Sequence, residues 1–146
     1  MYMKWILTIA MLSASFFTFA DEVALQDQKT QAMIAGKAWL ALIDVGDYET
    51  AYNQMATFAK ERCSFNQFEE GALLTRRSLG SVQARTEISS ELQAMWSNAP
   101  AGQYAVILFN TSFLGSDGAL ETFAKEQLVM KLSPTNEWQP VSYSIN

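Results

Sequence analysis

Leu79-Gly80-Ser81-Val82-Gln83-Ala84-Arg85-Thr86-Glu87-Ile88-Ser89 is where the chain changes its hydrophobic period. Before Leu79-Gly80, apolar residues recur at three and four positions. After it, Val82, Ala84, Thr86 and Ile88 alternate with Gln83, Arg85, Glu87 and Ser89. The first spacing lines up a helical stripe and the second a half-exposed strand. Helices followed by strands, rather than the two interleaved, predict an α+β domain.

Upstream, Ile34, Ala38, Ala41 and Leu42, with Trp39 and Ile43 alongside, form one broad stripe. Gly46-Asp47 suits a C-cap followed by a new N-cap, so the first helix is expected to end near Val45. Asp47 then opens a second helix with Tyr48, Ala51, Tyr52, Met55, Ala56, Phe58 and Ala59 on its inner side. A third runs from about Asn66 to Ser78, with Phe68, Ala72, Leu73 and Arg76 sharing a face. Downstream, Asn98-Ala99-Pro100-Ala101-Gly102 is a turn cluster. Tyr104 to Phe113 is apolar on both rows, which predicts a central strand covered on both faces. Gly115-Ser116-Asp117-Gly118 is a hairpin connection. The next strand sets Glu126, Leu128, Met130 and Leu132 against Lys125, Gln127, Val129 and Lys131, and Trp138 to Ile145 closes the sheet. The expected architecture is two to three N-terminal helices on one face of a curved antiparallel sheet of about four strands.

The N-terminus reads as an export address. A basic start at Lys4, an apolar run from Trp5 to Phe19 and the small residues of Thr18-Phe19-Ala20 before Asp21-Glu22 describe a secretory signal peptide cleaved after Ala20. The run is shorter than the about 20 apolar residues of a spanning helix, so no stable membrane insertion is expected after cleavage. Residues 21–146 then form one domain, periplasmic or secreted.

Of the ten basic residues, nine lie beyond that segment, against fifteen acids. Phosphate backbones are gripped by clustered cations, so nucleic acid is not an expected partner. The chain has no histidine and one cysteine, Cys63. That rules out a histidine-based hydrolytic triad and a Cys/His zinc site, and Cys63 is expected to be a buried or half-buried, inert thiol. No phosphate loop, dinucleotide fingerprint or calcium loop is present, so no cofactor or metal is expected. Asn110-Thr111-Ser112 has the spacing of a glycosylation acceptor but falls inside the predicted central strand.

Ala38-Trp39-Leu40-x-Leu42-x-Asp44-x-Gly46-x-Tyr48 resembles the opening of the bacterial exported proteins grouped as domain of unknown function 4019. Arg77-x-Leu79-Gly80, Arg85, Pro100-x-Gly102-x-Tyr104, Phe109-x-Thr111-x-Phe113, Glu121 and Trp138-x-x-Val141-x-Tyr143-x-Ile145 continue the likeness in order. Tyr52 and Phe68 stand where that family often has tryptophan. Glu121 is followed by Thr-Phe-Ala-Lys, which suggests an extra residue or bulge. More loosely, the layout is similar to NTF2-like cone-shaped domains. That likeness implies a pocket between helices and sheet, used by some members for catalysis and by others for ligand binding or dimerisation.

Five residues are candidates for a site. Arg77 and Arg85, both in the family pattern, either anchor an anionic ligand at a pocket mouth or pair with glutamates across the helix–strand junction. Asp44 is either a buried general base or a solvated residue on the last helical turn. Trp96, just before a turn, is the aromatic most available to a partner, whereas Tyr104 and the other aromatics are first of all core. The expected function is a non-catalytic module for a protein partner or a small apolar or anionic ligand. An envelope-assembly homodimer using the open sheet face and an enzyme using a buried carboxylate are the alternatives.

Overall fold

The computed structural model describes residues 18–115, 118 and 121–146. The export segment therefore lies outside the described residues, apart from Thr18, Phe19 and Ala20 at the start of the first helix. Four helices come first: α1 (Phe19–Val45), α2 (Tyr48–Asn53), α3 (Thr57–Arg62) and α4 (Phe65–Arg76). Four strands follow: β1 (Ser81–Gln93), β2 (Tyr104–Leu114), β3 (Glu121–Leu132) and β4 (Trp138–Ile145). They form one antiparallel sheet in the order β1-β2-β3-β4. Among the described residues no helix is long and apolar enough to cross a membrane.

The helix boundaries follow their caps. Gly46 ends α1, and the Asp47 side chain accepts from the Thr50 N–H to start α2. Ser64 and Gln67 form a reciprocal capping box at the head of α4, satisfying two N–H groups the helix leaves open. The expected single helix after Asp47 is broken into α2 and α3. At Ala56 the backbone turns extended and its N–H donates to the Pro140 carbonyl of β4, 2.9 Å away. Docking the chain on the sheet edge replaces one helical turn.

The helical core residues meet one row of the sheet only. Ala32, Trp39, Leu40 and Ile43 of α1 pack with Ala105, Ile107 and Phe109 of β2 and Leu128 and Met130 of β3. Gly36 marks the crossing, since a Cβ there would stand 2.9 Å from Leu128 Cδ2. On the opposite face Val106 and Leu108 are half-buried and Asn110 is exposed, so β2 is not covered by helices on both sides as its composition predicts. Trp39 holds α2 on α1 through its indole N–H to the Ala51 carbonyl at 2.8 Å.

The irregularities fall elsewhere than the residues after Glu121 suggest. β3 pairs with β2 without a shift from Glu121 to Lys131. β1 carries two bulges instead, between Val82 and Ala84 and between Glu87 and Ser89. Each inserts one residue and exchanges the two side-chain rows. Arg85, opposite Thr111, thereby turns inward, while Ala84, Thr86 and Ile88 of the expected apolar row stand exposed. Before β1, Gly80 has φ +80°, and a Cβ there would lie 2.0 Å from the Leu114 carbonyl oxygen. Only glycine fits this turn.

Candidate functional site

Two neighbouring sites are built from these elements, and Tyr143 of β4 belongs to both. The first is a buried charge network beneath the end of α1. Glu126 sits in the inward row of β3 among Ala124, Leu128 and Met130, wholly buried. Its oxygens accept from Arg85 Nε at 2.7 Å, Arg85 Nη2 at 3.3 Å and the Tyr143 hydroxyl at 2.6 Å, and from the Thr111 hydroxyl. Asp44, on the last turn of α1, accepts from Arg76 Nη2 at 2.8 Å and from Arg85 Nη1 and Nη2 at 2.9 and 3.0 Å. Arg76 also donates to the Tyr143 hydroxyl at 3.2 Å, and its guanidinium lies 4.9 Å from the centre of the Phe113 ring.

Two guanidinium cations thus face two carboxylates with almost every oxygen occupied. An unpaired charge at this depth would be strongly disfavoured, and the mutual pairing offsets that desolvation. Burial alone would raise the Asp44 carboxyl, but the hydrogen bonds of Arg85 and Arg76 and their charges outweigh it and hold Asp44 below the usual carboxylate range. Burial likewise works against the charge on Arg85, and the bonds to Asp44 and Glu126 overcome it, so its pKa is raised. Burial, then the charge and hydrogen bond of Glu126, push the Tyr143 hydroxyl up, which keeps it a proton donor.

The second site is a cleft of about 420 Å³ between α3–α4, the loop after β1 and β4. Trp39, Phe58, Phe68, Trp96 and Tyr143 give it aromatic walls. Tyr143 stands edge-on to Trp39 at 5.8 Å between ring centres, and Phe68 lies 6.2 Å from the same indole. Arg62, the last residue of α3, reaches across the mouth to the Asn98 carbonyl at 2.5 Å and lies over the Phe58 ring at 5.5 Å. Among the described residues no aspartate or glutamate lines this cleft.

The candidates from the sequence divide between these places. Arg85 is in the network, paired with Glu126 and also with Asp44, which stands on an exposed helix end with its carboxylate ion-paired and is not a base raised by an apolar pocket. The side chain of Asp44 is 21% exposed and already neutralised. Arg77 is exposed and makes no ion pair among the described residues; its neighbour Arg76 is the residue turned inward. Trp96 is half-buried and lines the cleft. Tyr104 is wholly buried, with its hydroxyl on the Pro100 carbonyl, and fastens the turn before β2 rather than facing a cavity. Cys63 is half-buried on the cleft wall.

Glu126, Thr111, Tyr143 and Arg62 are not among the five candidates, although Thr111 and Tyr143 stand in the family pattern. Glu126 had left a signal, a charge placed in the otherwise apolar row with Leu128, Met130 and Leu132. Arg62 had none, because its role depends on a loop 36 residues away. Among the described residues no group of three or more metal-ligating side chains is assembled.

Residues 35–143 match the model of the family described as Protein of unknown function (DUF4019). The chain belongs to that family. A solved structure from Catenulispora acidiphila is similar, with TM-score 0.55 and 10% identity over 87% of this chain and 94% of that one. At that identity the likeness extends to the fold alone, and neither match confirms the looser resemblance to NTF2-like domains. None of the curated proteins matches the chain.

Proposed function

We propose that this family member is an exported, non-catalytic binding domain whose ligand occupies the aromatic cleft between α3–α4 and β4. The observation that carries the reading is the cleft itself. A space of about 420 Å³ stays open between the aromatic side chains of Trp39, Phe58, Phe68, Trp96 and Tyr143. That volume and lining are those of small-molecule sites. Export is supported by the basic start at Lys4, the apolar run and Thr18-Phe19-Ala20 before Asp21.

Trp39 and Trp96 both line the cleft, so their fluorescence is the natural readout. A neutral naphthylamine fluorophore should bind saturably and quench them. Trp96→Ala should weaken it about tenfold, the scale of losing one aromatic wall. Probe binding unchanged in that variant would refute the assignment.

The homodimer reading has its own support. Phe123 is 64% exposed on the sheet face away from the helices, and Ile88, at the second β1 bulge, is 50% exposed. Sedimentation at two concentrations distinguishes it from a monomeric binder. The enzyme reading has less behind it, because a carboxylate base needs a raised pKa and Asp44 is held low by its arginines.

A further inference from the structure

The polar groups around the cleft are unevenly matched. Arg62 has no acidic partner among the described residues, and its hydrogen bond to the Asn98 carbonyl uses one of the five guanidinium N–H donors. The Trp96 indole N–H makes no hydrogen bond among the described residues and is not buried. Gln67 commits its Oε1 to the Ser64 N–H and hydroxyl, at 2.9 and 3.1 Å, so the end of its amide left over is the donating one. Thr75 already donates its hydroxyl hydrogen to the Gly71 carbonyl. Arg62, Trp96 and Gln67 thus leave donors free around the cleft, Thr75 leaves an acceptor, and among the described residues no carboxylate lines it.

From this geometry we infer that the ligand is a planar aromatic carboxylate, its ring between Trp96 and the Trp39–Phe68–Tyr143 wall and its anion at Arg62. The inference rests on the cleft being the ligand site. A carboxylate supplies a charged acceptor for these donors, and guanidinium receives it through two parallel N–H bonds. The bond from Arg62 to Asn98 carries no opposing charge, so a ligand anion competes only with a carbonyl. Asn98 has φ 50°, a left-handed conformation that asparagine tolerates better than most residues.

The test compares naphthoate with naphthamide, two probes of nearly equal shape that differ in charge. Tryptophan fluorescence of the purified protein is followed at neutral pH. Naphthoate should bind about threefold to tenfold more tightly, a preference that shrinks with added salt because Arg62 is exposed. Arg62→Gln should bring the ratio close to one, and Arg62→Lys should restore only part of it, since a point charge lacks the fork. Arg62 is a surface residue at a helix end, and circular dichroism verifies that both variants are folded. Equal binding of the two probes to the unaltered protein overturns the inference and leaves the cleft assignment standing. A naphthoate preference that survives Arg62→Gln overturns it as well, by placing the anion elsewhere. If neither probe binds, the cleft assignment falls and the inference with it.

Discussion

On one side of Tyr143 the molecule closes two arginines and two carboxylates on one another; on the other it leaves donors around an open aromatic cleft. The same residue types serve opposite ends. Arg76 and Arg85 are buried and satisfied by Asp44 and Glu126, so they hold α1, α4, β1 and β3 together. Arg62 has a carbonyl and a ring for partners and faces water. An arginine whose acids are supplied by the fold is a structural element. One whose acid is missing is available to a ligand. The distinction lies in the partner set and not in the residue type.

The most damaging way to break the network is to remove its buried acid. Glu126→Ala would leave two guanidinium groups facing one carboxylate and should cost about 3–5 kcal/mol in denaturant unfolding. A loss below about 1 kcal/mol would mean that the cluster relaxes or hydrates and is not structural. Tyr143→Phe sharpens the contrast, because Tyr143 is the residue shared by the two regions. It keeps the ring against Trp39 but deletes the donor to a buried carboxylate. It should cost about 1.5–3 kcal/mol of stability and leave naphthylamine affinity nearly intact.

Of the two regions, acid should act on the network. Asp44 releases its proton more readily folded than unfolded, so its contribution is complete above the ordinary carboxylate value of 3.8. It is lost as pH falls through the lower folded value. Stability curves from pH 6 down to pH 2 should show this acid limb, and Asp44→Asn should shrink it. The smallest effect belongs to the cleft: Trp96→Ala should change unfolding free energy by less than about 1 kcal/mol while still weakening the probe. A large loss of stability there would make Trp96 a core residue and the comparison would fail.

Much of the fold is legible in the chain because it rests on local rules. The change of period at Gly80, the Gly46-Asp47 boundary and the turn cluster at Asn98–Gly102 are written in consecutive residues, and the structure follows them, whereas Ser116 and Asp117 of the expected Gly115–Gly118 connection lie outside the described residues. The break at Ala56 is different, since it exists only because Pro140 offers a carbonyl from the far end of the chain. The sheet rows of β1 were misread for a similar reason. Bulges are set by pairing with β2, and nothing in the alternation of Val82 to Ser89 announces them. The same two bulges decide whether Arg85 faces water or Glu126, so its pairing with a glutamate, one of the two expected arrangements, is reached by a register that the alternation does not show. Arg76 and Arg77 show how fine the margin is: one helical step, about 100°, separates a buried cation from an exposed one. The cleft was less legible still, because its walls come from α1, α3, α4, β4 and the loop after β1.

The even count of charges in the network bears on how this sequence can change over time. Asp44, Arg76, Arg85 and Glu126 sum to zero, and a neutral replacement at any one of them strands an opposite charge in a poorly hydrated place. Single steps away from the quartet therefore pass through a less stable protein, whereas paired exchanges of one acid with one arginine do not. These four positions should therefore be lost in pairs of one acid and one arginine rather than one at a time. Arg62, with no acidic partner to strand, can vary by itself and carry a change of ligand with it.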